Sequence, residues 1–242
     1  MIAVDLAFVP PGHDARSVVV FDVLRMTTTA CVLLDGGLEV LTVVADPDAA
    51  RREAVATSAL LLGERQGVAL PGFDGGNSPL EVQRLDLPRR RAVLCTTNGS
   101  FAVEAAGAAQ QVLLGAVVNA AAVAEALLAS PAGDVLLLCA GTQGAVSLDD
   151  VVGAACVLAE LRARSDDLAM TDACMLALGL LDGPAGVPAL VERAAHARLL
   201  RDIGFGADVD FAARRNLLGV VPARVATEPA RFAPWRGGAT ER

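Results

Sequence analysis

Short apolar runs alternate with Ala-rich stretches of helical period along most of the chain. The runs at residues 2–6, 18–23, 40–44, 60–62, 92–95, 112–114, 135–139 and 219–225 predict about eight strands. Those at 18–23 and 135–139 carry almost no polar alternation, as in parallel strands covered on both faces. Helix starts are marked between the runs. Asp46-Pro47 puts proline in a first turn. Ser78-Pro79-Leu80-Glu81 and Ser147-Leu148-Asp149-Asp150 each set a hydroxyl three residues before an acid. Ser165-Asp166-Asp167 puts acids at another expected start, and Gly36-Gly37 reads as a stop. From residue 148 to about 216 the pattern is almost wholly helical, and one strand follows. No low-complexity linker divides the chain. The expectation is one three-layer α/β/α domain over residues 1–225, with a mostly parallel, mixed sheet. Residues 226–242, with their prolines and Gly237-Gly238, read as a C-terminal surface extension.

In sheets of this kind ligands bind beyond the carboxyl ends of the strands. Four such loops carry polar chemistry. They are Asp22 to Thr29 with Arg25, Thr27 and Thr28; Gly63 to Gly67 with Glu64 and Arg65; Thr96-Thr97-Asn98-Gly99-Ser100; and Ala140-Gly141-Thr142-Gln143-Gly144. Backbone N–H groups at helix starts, hydroxyls and Arg forks together make an anion cradle. Asp22 and Glu64 among them suggest a hard cation with oxygen ligands, Mg²⁺. Each residue has a plainer reading alone. Ser78 and Ser147 serve as caps, Glu81 and Asp150 as capping acids, and Asn98-Gly99 as a turn. His196 reads as a packing residue on a helix.

Composition narrows the chemistry. All 20 basic residues are arginine, tyrosine is absent, and there are two histidines. A lysine Schiff base, a P-loop lysine, a tyrosine nucleophile and a three-histidine zinc site are therefore excluded. The absence of lysine beside abundant Ala and Arg is also what a GC-rich genome produces. The net charge of −8 argues against nucleic acid but not against a small anion held by local donors. The longest apolar stretch, residues 112–129, is broken by Asn119 and Glu125 and falls short of a membrane span. The N-terminus lacks the basic start and long apolar run of a signal peptide. Five cysteines without a CxxC pair fit buried thiols in a cytoplasmic protein. The surface would tolerate a homodimer, although nothing in the sequence marks an interface.

The chain resembles the 2-phosphosulfolactate phosphatase family, the Mg²⁺-dependent phosphatases of coenzyme M biosynthesis. The resemblance rests on Phe21-Asp22-Val23-Leu24-Arg25-Met26-Thr27-Thr28-Thr29, Gly63-Glu64-Arg65, Gly72-Phe73 with Gly76 to Glu81, and Thr96 to Ser100. It continues through Asn119, Cys139-Ala140-Gly141, Ser147 to Asp150, His196 to Leu200, Gly204, Asp208 and Pro222. Met26, Ser100 and Asp149 depart from the family's usual Ala, Thr and Glu. The resemblance implies hydrolysis of a small anionic phosphoester beside a carboxylate, with charge neutralisation dominating. It implies Mg²⁺ held by Asp22, with Glu64 and Asp150 as further ligands. Arg25 and Arg65 would clamp the anion. Thr27, Thr28, Asn77, Ser78, Thr96, Thr97, Asn98, Gly99, Asn119 and Gly141 would line the site. Asp22 as nucleophile and a water activated at the metal both remain open. Leu24 stands where haloacid-dehalogenase-type phosphatases carry a second Asp. A phosphatase for another 2-phospho-hydroxy acid and a non-catalytic anion binder are the rival readings.

Overall fold

The computed structural model describes residues 1–12, 14–130 and 133–237. Its elements run β1 (Ile2–Ala7), β2 (Ser17–Phe21), α1 (Met26–Asp35), β3 (Val40–Val44), α2 (Pro47–Thr57), β4 (Leu60–Arg65) and β5 (Val68–Ala69). They continue with α3 (Pro79–Val82), β6 (Arg91–Cys95), α4 (Asn98–Ala105), β7 (Gln111–Gly115), α5 (Ala120–Ala129), β8 (Asp134–Cys139), α6 (Leu148–Arg164) and β9 (Leu168–Met170). Four helices follow: α7 (Asp172–Gly179), α8 (Val187–Glu192), α9 (Ala195–Asp202) and α10 (Gly206–Ala212). The hairpin β10 (Pro222–Thr227) and β11 (Ala230–Pro234) ends the described chain.

The α/β class expected from the runs is the class found, but the sheet has 11 strands in the order β5-β4-β6-β3-β11-β10-β7-β2-β8-β1-β9. It consists of two parallel blocks. β3, β4 and β6 are parallel to one another, as are β1, β2, β7, β8 and β9. The β10–β11 hairpin joins them through antiparallel pairings to β7 and β3, so the blocks point in opposite senses. From β3 to β2 the natural twist turns the strands by roughly 80–100°. That rotation lets loops from the carboxyl ends of both blocks meet.

Alternation along the strands sorts the core. Val18, Val20, Leu94, Leu114, Leu136 and Leu138 face one continuous core filled by α1 and α4. Every residue of α1 except Asp35 is buried, and the helix packs in turn against β3, β11, β10 and β7. On the opposite sheet face, Val19, Phe21, Leu137 and Cys139 pack with α5 and α6. Val93 and Cys95 there meet Ala50 and Ala54 of α2. All five cysteines are free and buried. No helix among the described residues is long and apolar enough to cross a membrane.

Two expectations fail for physical reasons. The surface extension expected from residue 226 is instead partly a strand pair inside the sheet, with Phe232 wholly buried. Prolines at both ends of β11 disguised it, because proline usually marks turns and strand ends. The helix start expected at 165–167 is the end of α6. Ser165 is extended, and the Asp167 carbonyl takes the Ile2 N–H at 3.0 Å as the chain enters β9. The caps fare better: the Asp46 carboxylate takes the Ala49 N–H, and the Ser78 hydroxyl takes that of Glu81. Ser147 instead donates to Asp149.

Candidate active site

The strand expected to run to residue 23 stops at Phe21, so Asp22 and Val23 lead directly into the first turn of α1. Asp22 is buried, and its Oδ1 takes the Met26 N–H at 3.3 Å. The Gly99 N–H, from the first turn of α4, also favours its ionised form. Burial, above all, and then the charge of Asp149 push the Asp22 carboxyl up to about 7; Glu64 adds a smaller push in the same direction. Asp149 and Asp150 open α6 across from it. Asp149 receives the Ser147 hydroxyl at 2.7 Å and the Leu24 N–H at 3.2 Å. Asp150 receives the Val23 N–H at 2.8 Å and the Gly141 N–H at 2.9 Å, tying the ends of β2 and β8 together. Burial raises both carboxyls, and for Asp150 the charges of Asp149 and Asp22 raise it further.

The other parallel block supplies the facing wall. Glu64 receives the Gly67 N–H at 2.8 Å on one oxygen and the Thr97 N–H at 3.3 Å on the other. Asn98, opening α4, takes the Gln143 N–H at 3.3 Å from the loop after β8. His196 on α9 lies close enough for the charges of Asp149, Arg25 and Glu64 to act on its ring. Burial lowers its proton affinity, and Asp149 opposes this. Loops after β2, β4, β6 and β8 therefore converge on one group of acids.

A sequence model of the 2-phosphosulpholactate phosphatase family matches residues 9–227, the span that carries all of these loops. The chain belongs to that family. A relative from Deinococcus radiodurans named probable 2-phosphosulfolactate phosphatase is 40% identical, with 93% of each chain covered. Proteins of the same name from Carboxydothermus hydrogenoformans and Prochlorococcus marinus are 36% and 35% identical, over 90% of this chain and 92% and 93% of theirs.

Within this 2-phosphosulpholactate phosphatase fold, several residues expected to touch a ligand are already engaged. Arg25 is buried, with Nη1 on the Asp208 carboxylate at 2.8 Å and Nη2 on the Gly67 carbonyl at 2.7 Å. Arg65 spends its terminal nitrogens on the carbonyls of Glu64 and Ala45. Both arginines expected to clamp the anion thus already have their terminal nitrogens hydrogen-bonded within the protein, Arg25 buried and Arg65 half-buried. Thr27 and Thr28 donate to the carbonyls of Asp22 and Val23 and so hold the turn. Thr96 takes the Ser100 N–H. Asn119 is wholly buried. It accepts from Ala116 and donates to the carbonyls of Leu114 and Val220, fastening the end of β7 to the segment before β10. Ser78 donates to Asp208 at 2.8 Å. Asn77 is buried beside α1, where its carbonyl takes the Thr29 hydroxyl. Its Oδ1 is the one buried side-chain polar atom without a partner among the described residues. Thr97 is exposed, and its hydroxyl lies 3.5 Å from Glu64 Oε1.

Asp149, Asp208 and His196 are the members that sequence reasoning passed over. All three stand in the family blocks, but Asp149 and Asp208 were given no role there and His196 read as a packing residue. The one available signal was that buried-looking helices carried polar residues at family positions.

Gly99 shows how tight the centre is. A Cβ there would stand 2.6 Å from Asp22 Oδ2 and 2.5 Å from the Met26 methyl. Gly99→Ala must push the carboxylate aside. Its expected effect is a kcat loss on the order of 10²-fold with the fold retained. Kinetics alongside circular dichroism would check this, and wild-type turnover would remove Gly99 from the centre.

Proposed function

We propose that this chain is a Mg²⁺-dependent phosphomonoesterase converting 2-phospho-3-sulfolactate and water to 3-sulfolactate and phosphate. The observation that carries the reading is the family match itself, because it takes in every loop that meets around Asp22. The donor set suits a hard cation. The charges acting on Asp22 are those of Asp149 and Glu64, both negative, and a divalent ion relieves that repulsion. Among the described residues no three His, Cys, Asp or Glu side chains form a set able to hold a metal alone. Asp22, which the charges of Asp149 and Glu64 repel, would therefore hold Mg²⁺ together with waters and substrate oxygens. Glu64, Asp149 and Asp150 fit this role less well, since each already takes a hydrogen bond on both oxygens. When bound, Mg²⁺ would neutralise charge on the phosphoryl oxygens.

The protein's own groups do the remaining work. Water attacks phosphorus, the bond from phosphorus to the C2 oxygen breaks, and that oxygen leaves as the hydroxyl of sulfolactate. Asp149 takes the proton of the water and returns one to the leaving oxygen. Burial gives the Asp149 carboxyl the raised proton affinity that a base near neutral pH needs. Asn98 and Thr97, at the start of α4, would orient the anion. Leu24, in place of a second acid, supports direct attack by water over an aspartyl phosphate.

The test is phosphate release from phosphosulfolactate, phospholactate and phosphoglycolate, with and without Mg²⁺. The expected result is the highest kcat/KM for phosphosulfolactate and none in chelator. Release from none of the three, with anions still raising Tm, would instead mark a binding protein.

A further inference from the structure

Asp208 sits on α10, 183 residues along the chain from Arg25, yet the two side chains form a buried ion pair at 2.8 Å. The Phe205 ring lies under the guanidinium, 4.3 Å from its carbon. The other terminal nitrogen of Arg25 reaches the Gly67 carbonyl. Gly67 closes the two-residue turn between β4 and β5, with Gln66 at φ 54° and Gly67 at φ 81°, the paired positive angles of a tight hairpin. The Gly67 N–H holds one oxygen of Glu64, and the other oxygen holds the Thr97 N–H. A hydrogen-bonded line thus runs from α10 through Arg25 and Gly67 to Glu64 and on to the start of α4.

We infer that Asp208 is a positioning residue that acts on Glu64 through Arg25 and Gly67. The inference rests on Glu64 belonging to the active site proposed above. Arg25 is fixed at both terminal nitrogens, so its service is to the β4–β5 turn. Asp208 supplies the charge that lets a buried guanidinium stay in place; without it Arg25 is left an uncompensated buried ion. A displaced Arg25 releases the Gly67 carbonyl, the turn loosens, and Glu64 loses its orientation toward Thr97. Ser78, which donates to the second oxygen of Asp208, brings the start of α3 into the same anchor.

The test uses Asp208→Asn, Glu64→Gln and the double variant in the full chain. Asp208→Asn should lower kcat on the order of 10- to 100-fold with a smaller change in KM. The double variant should be no slower than the slower single, because both changes break one line. Hydrogen exchange of the substrate-free protein should quicken in residues 64–69 and 96–99 together. Losses that multiply, or unchanged exchange in those two segments, would overturn the inference. If Asp208→Asn does not fold, Phe205→Leu removes the ring beneath Arg25 while keeping both charges, and should quicken the same two segments. The exchange measurement needs no turnover. A wild type that hydrolyses no phosphoester therefore counts against the proposed function and leaves this inference to be judged by exchange.

Discussion

Asp22→Asn should abolish measurable phosphate release, a loss on the order of 10³-fold or more, and should flatten the pH dependence of stability in metal-free protein. The shape is nearly unchanged, and an amide oxygen can still take the Met26 N–H, so the loss isolates the charge. The stability effect has a definite sign. Folding moves the Asp22 carboxyl from 3.8 to about 7, so between those values the folded state binds more protons than the unfolded one. Stability from this group is then full below about pH 4 and falls as pH rises through 7. The largest cost of ionising it is on the order of 4 kcal/mol, before solvent access and local relaxation reduce it. Asp149 and Asp150 shift the same way and steepen the fall. Melting curves in chelator from pH 5 to 8 should show wild-type Tm dropping by several degrees and Asp22→Asn dropping less. Mg²⁺ at pH 8 should raise the wild type more than the variant. Parallel slopes for the two proteins would mean that Asp22 carries no such burden.

Ending the chain at residue 227 should prevent folding altogether. The deletion removes β11, which pairs with β10 on one side and with β3 on the other. It leaves two unpaired edges in the middle of the sheet and an empty place where Phe232 lay against the core around α1. In the full chain, Phe232→Ala alone should cost about 3–5 kcal/mol. The corresponding fall in Tm is roughly 6–20 °C for a domain of this size. Circular dichroism melts and gel filtration check both proteins. A truncated protein that melts cooperatively near the wild-type temperature would show that the two blocks hold together without the hairpin.

How much of this was legible in the sequence depended on distance along the chain. The strands at 40–44, 92–95, 112–114 and 135–139 were readable because a run of buried apolar residues is a local signal. The polar loops at their carboxyl ends followed from the strands. Asp22 was visible as an acid at a strand end, but its neighbour Asp149 lies across the fold, and nothing local shows their coupling. Arg25 shows the limit most clearly. A free Arg and an Arg paired with a residue 183 positions away look identical in a sequence. Asn119 misled in the same way, since its partner Val220 is 101 residues distant. The opposed senses of the two sheet blocks were hidden because the joining hairpin lay in a segment whose prolines suggested a loose tail.

That hairpin also sets an order of events during synthesis. Asp22, Glu64, Asp149 and Asp150 leave the ribosome long before the strands that join the two blocks. Until Ala230–Pro234 emerges, β3 and β10 each lack a neighbour, and the nascent chain presents open strand edges beside a completed set of catalytic loops. The sheet is therefore closed only by a hairpin that follows every other strand along the chain.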